Sequence, residues 1–123
     1  MTLSLKGTRV LIVEDNYVVA DALEYLIDGY EGSVVAIVPT VERAIEVLTA
    51  SEVDIAVLDI NLHGTSVVPV AEHLRAHGVP FVFLTGYGDG ELLPPHLRDR
   101  PRLDKPVDAE RLVLAMLELV GRR

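Results

Sequence analysis

Short apolar runs alternate with longer amphipathic segments along the chain. The runs are rich in β-branched residues and leucine, which is typical of strands that are buried on both faces. The segments between them repeat apolar residues at helical spacing. The pattern predicts five strands, at residues 10–13, 34–38, 55–58, 81–84 and, more briefly, 102–104.

Polar residues and glycine mark the limits of the first three predicted helices. Asn16 and Thr40 are suited to cap the first two, because their side-chain oxygens can accept hydrogen bonds from the first helical turn. Ser66 is placed to cap the third helix, which is predicted to run to about His77 and to stop at Gly78.

The last third of the chain predicts one short or distorted helix and one regular helix. Three glycines between residues 86 and 90, followed by Pro94 and Pro95, leave room for only a short or distorted fourth helix. A final amphipathic helix is predicted from regularly spaced apolar residues. These are Val107, Leu112, Val113, Ala115, Met116 and Leu119.

The alternation of strands and helices predicts an α/β fold. Each parallel crossover lays a helix against the sheet, so helices are expected on both faces. We predict a flavodoxin-like, doubly wound (βα)5 parallel sheet with strand order 2-1-3-4-5. In such a sheet, sites lie beyond the carboxyl ends of the strands, near the point where the strand order reverses.

Chemically reactive side chains follow four of the predicted strands. Glu14 and Asp15 follow the first strand, Asp59 the third, Thr85 the fourth and Lys105 the fifth. If strands one and three are neighbours, the three carboxylates share one crevice and require a cation. Oxygen ligands without cysteine or histidine favour a hard ion, and Mg²⁺ suits one or two carboxylates with water and a phosphate oxygen. Beside this ion a carboxylate can attack phosphorus, while Lys105 and Thr85 bind phosphoryl oxygens.

The charge and composition of the chain limit the kinds of partner and metal site that we expect. The formal net charge is −8, so a nucleic-acid backbone or an anionic membrane surface would be repelled. The chain has no cysteine, which excludes disulfides and thiolate metal sites. We recognise no export signal and no apolar run long enough for a membrane span. We therefore expect a cytoplasmic protein without a nucleic-acid or membrane partner.

The strand-end residues resemble those of receiver domains from two-component response regulators, and the resemblance runs along nearly the whole chain. Glu14 and Asp15 look like the acidic metal-binding pair of that family, and Asp59 looks like its phosphoacceptor. Asn61 resembles the residue whose backbone carbonyl completes the metal shell.

The same resemblance includes the residues that follow the fourth and fifth predicted strands. Thr85 looks like the switch hydroxyl, and Lys105 like the family's lysine. Pro106 follows this lysine, and in that family the peptide bond before the proline is typically cis. The resemblance implies Mg²⁺-dependent phosphotransfer from a histidine kinase, followed by slow self-hydrolysis.

Residues 83–87, with the sequence Phe-Leu-Thr-Gly-Tyr, are similar to the motif of a subgroup of single-domain regulators known as FATGUY. That subgroup is associated with bacterial general stress signalling and with HWE or HisKA2 kinases. Receivers that are cut from hybrid kinases can carry the same stretch, so this alternative stays open.

Two departures from the family pattern concern signalling. The position three residues before the lysine usually holds an aromatic switch residue, but here it is Arg102. Tyr87, two residues after Thr85, is our candidate for the missing switch. Pro94 and Pro95 break helices and are therefore expected to alter the signalling surface that the fourth helix usually forms.

The resemblance implies a signalling module rather than an enzyme that acts on another substrate. We expect residues 1–123 to form a single receiver domain without an output domain, which acts through a downstream protein partner. The alternatives are a phosphate sink, a fragment of a hybrid kinase and a metal-dependent phosphohydrolase with an aspartyl nucleophile. A pseudo-receiver that binds partners without chemistry is a further alternative.

Overall fold

The computed structural model, which describes residues 2–86 and 88–121, contains one five-stranded parallel sheet with helices on both faces. We number its strands β1 to β5 and its α-helices α1 to α4. The strands are β1 Arg9–Val13, β2 Ser33–Val38, β3 Ile55–Asp59, β4 Phe81–Thr85 and β5 Arg102–Asp104. The helices are α1 Tyr17–Gly29, α2 Val41–Ala50, α3 Val68–Ala76 and α4 Ala109–Gly121.

The order of the strands across the sheet is β2-β1-β3-β4-β5, and all four neighbouring pairs are parallel. This confirms the predicted flavodoxin-like fold. The order also explains the burial along each strand. The central strands β3 and β4 are buried at every residue, whereas β2 and β5 lie at the edges and are largely half-buried or exposed.

Neighbouring residues of each central strand contribute to two separate cores. Leu11 and Val13 of β1 belong to the core beneath α2 and α3, while Val10 and Ile12 belong to the core beneath α1 and α4. Successive side chains of a strand point to opposite faces, so an unbroken apolar run is what a sheet covered on both faces requires.

The predicted caps of the first two helices are confirmed. The side chain of Asn16 accepts hydrogen bonds from the backbone N–H groups of Val18 and Val19, at 3.0 and 3.1 Å. Thr40 Oγ1 accepts one from the N–H of Arg43 at 3.2 Å. Both contacts satisfy donors that lack a partner within the helix.

Helix α3 begins differently from the predicted pattern. Ser66 Oγ accepts a hydrogen bond from the N–H of Val68 at 3.1 Å, but Ser66 itself lies in a short antiparallel hairpin of Asn61–Leu62 with Thr65–Ser66. The sequence pattern did not predict this hairpin, because two-residue strands are too short to show alternation.

The segment at the position of the fourth predicted helix is short and distorted, as expected. It contains two 3₁₀ turns, Asp89–Leu92 and Pro95–Leu97. Leu93 and Leu97 from this segment are buried in the core beneath α2 and α3. The segment therefore still covers the sheet, although its prolines prevent a regular α-helix.

The predicted start of the last helix is wrong. Helix α4 begins at Ala109, because Asp108 Oδ1 accepts a hydrogen bond from the N–H of Arg111 at 2.9 Å and caps the first turn. Val107 therefore lies before the helix, although its half-buried side chain still packs against the core beneath α1 and α4.

Among the residues described, no helix combines the length and the apolar character that a membrane crossing demands.

Candidate functional site

Four neighbouring strands end at the same edge of the sheet and bring the predicted site residues there. Val13 of β1 pairs with Leu58 of β3, so Glu14 and Asp15 emerge beside Asp59. Asp59 pairs in turn with Leu84, next to Thr85 at the end of β4. Since parallel strands share the direction of the chain, residues that are far apart in sequence meet at one edge.

Three carboxylates form a tight cluster at this edge. One ligand oxygen from each of Glu14, Asp15 and Asp59 lies within 4.8 Å of the other two. Glu14 and Asp59 are only 2% and 3% exposed. Buried like charges at this spacing repel each other strongly, so the cluster needs compensating positive charge.

Lys105 supplies part of that charge. Its Nζ lies 3.1 Å from Glu14 Oε1 and 3.1 Å from Asp59 Oδ2. Burial by itself would lower the pKa of Lys105, but the two carboxylates outweigh this effect and raise it above its ordinary value. Lys105 is therefore held as a cation beside Glu14 and Asp59.

Glu14 has an oxygen that is suited to a metal ion. Its Oε2 accepts a hydrogen bond from the N–H of Asn16 at 3.1 Å. Its Oε1 is buried and, among the described residues, receives no hydrogen bond of good geometry despite its proximity to Lys105. A buried acceptor without a donor is costly, and a divalent cation would satisfy it. The donor set of three carboxylates fits a hard ion such as Mg²⁺.

The pKa of Glu14 is raised from 4.5 to about 7, first by burial and then by its closeness to Asp59. An acid whose pKa is higher in the folded state stabilises the fold fully below its unfolded pKa, and this stability is lost as the pH rises through the folded pKa. Without divalent ions, we therefore expect the free energy of unfolding to fall between about pH 4.5 and 7, by on the order of 3 kcal/mol from this group.

Urea unfolding in the presence of EDTA at several pH values measures this dependence. The control is Glu14→Gln, in which the titrating carboxyl is absent and the fall in stability over this range should largely disappear. An unchanged pH dependence in Glu14→Gln would show that other groups cause it.

Asn61 adjoins the cluster through its backbone. Its N–H donates a hydrogen bond to Asp59 Oδ1 at 3.2 Å, which helps to orient that carboxylate. Its side-chain oxygen accepts a hydrogen bond from the N–H of Gly64 at 2.7 Å, within the turn of the short hairpin. The metal-binding role of its carbonyl oxygen stays a prediction.

Thr85 lies at the site, but its hydroxyl is committed elsewhere. Thr85 Oγ1 donates a hydrogen bond to Asp104 Oδ1 at 2.8 Å. The backbone N–H of Lys105 donates to the carbonyl oxygen of Thr85 at 2.9 Å, which ties the ends of β4 and β5 together. The peptide bond between Lys105 and Pro106 is cis.

Sequence reasoning missed two residues of this site. Asp104 was assigned only to a strand, although its position directly before Lys105 at a strand end is the signal that could have identified it. His63 contacts a carboxylate oxygen of Asp15 through its Nδ1 and has a positive φ of 50° in the turn of the hairpin. The sequence signal for His63 was its position only four residues after Asp59.

Two residues bear on the missing aromatic switch: Arg102, which stands at its usual position, and Tyr87, the candidate to replace it. Arg102 is exposed on the edge strand β5. Tyr87 lies outside the described residues, so its role stays a prediction. The structure thus brings Glu14, Asp15, Asp59 and Lys105 together, with Asn61 and Thr85 beside them.

Comparisons with known proteins agree with this geometry. Residues 10–117 match the model of a family described as the response regulator receiver domain. The regulatory protein VanR of Enterococcus faecium is 37% identical over 79 residues, which are 63% of this chain and 34% of VanR. The sensory transduction protein LytT of Bacillus cereus is 32% identical over 108 residues, which are 85% of this chain and 44% of LytT. The chain thus spans less than half the length of these curated relatives.

A solved structure is similar over its whole length. The solution structure of SdrG from Sphingomonas melonis Fr1 superimposes with a TM-score of 0.82 and 36% sequence identity. The match covers 98% of this chain and 99% of that one. It supports the same arrangement of strands and helices from end to end.

Proposed function

This chain belongs to the response regulator receiver domain family, and from that membership we propose that Asp59 accepts a phosphoryl group from the phosphohistidine of a histidine kinase. The reaction depends on Mg²⁺ held by Glu14, Asp15 and Asp59, with the backbone carbonyl of Asn61. When bound, the ion neutralises the negative charge that gathers as donor and acceptor approach each other. The phosphorylated domain then signals through a protein partner in the cytoplasm.

A single observation carries the proposal: Lys105 Nζ lies 3.1 Å from Asp59 Oδ2 and equally close to Glu14, beside a cluster of three carboxylates. One of these carboxylates can be the nucleophile while the others bind the cation. The ammonium group is placed to pair with the phosphoryl oxygens that arrive at Asp59.

The transfer is a displacement at phosphorus. A carboxylate oxygen of Asp59 forms the new O–P bond, and the N–P bond of the donor breaks. The imidazole leaves with the electron pair of that bond and takes a proton from solvent. Lys105 then binds one phosphoryl oxygen and the hydroxyl of Thr85 another, and water slowly hydrolyses the product.

The test is incubation of the protein with ³²P-labelled acetyl phosphate and Mg²⁺. A stable protein-bound label that alkali releases, as expected for an acyl phosphate, supports the receiver. Rapid turnover of varied phosphate monoesters would instead support a phosphohydrolase, and no label at all would support a pseudo-receiver. EDTA should suppress the label if the metal is required.

The output of the domain is a second part of the proposal. We propose that the receiver domain, once phosphorylated, passes its signal to a separate protein, and the alternative role is that of a phosphate sink. Binding of a further protein to the purified chain, measured with and without phosphorylation, distinguishes these two roles. A sink drains phosphate from the kinase without binding a further protein in a phosphorylation-dependent manner.

We also propose membership of the FATGUY subgroup and a role in the general stress response. Residues 83–87 support this assignment, and so does the match to SdrG at 36% identity over nearly the whole of both chains. The assignment predicts faster labelling by HWE or HisKA2 kinases than by kinases of other classes. Equal labelling by unrelated kinases would contradict the subgroup and leave the phosphotransfer itself intact.

A further inference from the structure

The hydroxyl of Thr85 is held by Asp104. Thr85 is only 7% exposed, and its Oγ1 donates to Asp104 Oδ1 at 2.8 Å. Thr85 and Asp104 are also direct partners across the parallel strands β4 and β5. The contact is therefore supported by the backbone register as well as by the side chains.

A threonine hydroxyl has one proton and can donate one hydrogen bond at a time. If it donates to Asp104, it cannot donate to a phosphoryl oxygen on Asp59. The two acceptors are both anionic and therefore compete for the same donor. Asp104 is exposed on an edge strand, so water can solvate its carboxylate when Thr85 leaves.

We propose that Asp104 is a positioning residue, which holds the Thr85 hydroxyl in the resting protein and thereby opposes phosphoryl binding at Asp59. This inference rests on the proposed function. Phosphorylation transfers the hydroxyl from Asp104 to the phosphoryl group and releases a carboxylate at the exposed edge of the sheet. Asp104 is thus the partner of Thr85 in the resting protein. It lies on β5, the same strand on which Arg102 replaces the usual aromatic switch residue.

The experiment measures the affinity of the full chain for beryllofluoride with Mg²⁺, because this anion imitates a phosphoryl group without being transferred. Four proteins are compared: wild type, Asp104→Ala, Thr85→Val and the double variant. We expect Asp104→Ala to bind beryllofluoride about three- to tenfold more tightly, since the competing charge-assisted hydrogen bond is lost. In the Thr85→Val background the same substitution should have little effect, because no hydroxyl is left to release.

Charge alone is the alternative cause, and two controls isolate it. Asp99→Asn removes an exposed carboxylate from the segment before β5, and it should leave the affinity unchanged. Asp104→Asn removes the charge but keeps an acceptor, so it should fall between wild type and Asp104→Ala. If Asp104→Ala has the same effect with and without the Thr85 hydroxyl, or no effect, the proposal is overturned.

An independent measurement separates this inference from the proposed function. Without any ligand, the NMR signals of the Thr85 methyl and amide groups should shift in Asp104→Ala and not in Asp99→Asn. Unshifted signals would contradict the resting hydrogen bond and leave phosphorylation at Asp59 standing. Conversely, failure of the wild-type protein to bind beryllofluoride, with the Thr85 shift still present, would contradict the proposed function.

Discussion

Replacement of Asp59 by asparagine is expected to abolish labelling by acetyl phosphate, to below about 1% of the wild-type level. The carboxamide is nearly the same size as the carboxylate, and its oxygen can still accept the hydrogen bond that Asn61 N–H donates to Asp59 Oδ1. It has no anionic oxygen to attack phosphorus, however. The loss therefore reports on the nucleophile and not on the shape of the site.

The matched control for this experiment is Asp21→Asn, which makes the same chemical change on the exposed surface of α1. It should retain full labelling, and both variants should give wild-type circular dichroism spectra. Substantial stable label on Asp59→Asn would mean that another carboxylate is the acceptor. Asp15 and Glu14 would then be the residues to substitute next, because their oxygens lie within the same cluster.

The sheet and the main site residues could be predicted from the sequence for the same physical reason. A parallel strand covered on both faces must be apolar along its length, so residues 10–13, 55–58 and 81–84 give unambiguous signals. A polar residue that ends such a run lies at the carboxyl edge. Glu14 and Asp59 were found by this rule, whereas Lys105 was found from its position after the brief fifth strand. The direct contacts of Lys105 with both carboxylates agree with these assignments.

The contacts of Asp104 and His63 could not be predicted in this way. Asp104 receives the Thr85 hydroxyl because β4 and β5 pair in one particular register, and a three-residue edge strand gives no apolar pattern from which to read that register. His63 reaches Asp15 because a short hairpin turns the chain back over the site. Both contacts depend on tertiary geometry that local residue patterns do not encode.

The start of α4 shows a related limit. Apolar spacing places Val107 in phase with the helix, and this residue does pack against the same core. The helix nevertheless begins at Ala109, because the side chain of Asp108 caps it and satisfies a free N–H of the first turn. Hydrophobic periodicity reports which face is buried, whereas the cap decides where the helical backbone starts.

The cluster of carboxylates is favourable for chemistry and unfavourable for folding. Three acidic groups with ligand oxygens within 4.8 Å of one another attract a cation, but they repel each other when no cation is present. Burial raises the pKa of Glu14 to about 7, and its closeness to Asp59 adds to the rise. Lys105 relieves part of this repulsion by pairing with Glu14 and Asp59, so its removal is a severe test of the electrostatic argument.

Replacement of Lys105 by methionine is expected to lower the free energy of unfolding by about 2–3 kcal/mol at pH 8 in EDTA. Breaking a buried ion pair leaves uncompensated charge, which typically costs about 3–5 kcal/mol, and the side chain of Lys105 is 24% exposed, which reduces the cost. Methionine keeps the length and apolar packing of the lysine stem. Labelling by acetyl phosphate should fall at least roughly tenfold, since the cation that pairs with the phosphoryl oxygens is gone.

Mg²⁺ should restore part of this stability. Because a cation bound by the three carboxylates replaces the lost positive charge, saturating Mg²⁺ should stabilise Lys105→Met by a larger increment than it stabilises the wild type. Urea unfolding with and without Mg²⁺ measures both increments, and Lys6→Met, which alters an exposed lysine, is the control. Equal increments in the three proteins would show that Lys105 does not compensate the charge that the metal ion would bind, and the electrostatic account of the site would fail with it.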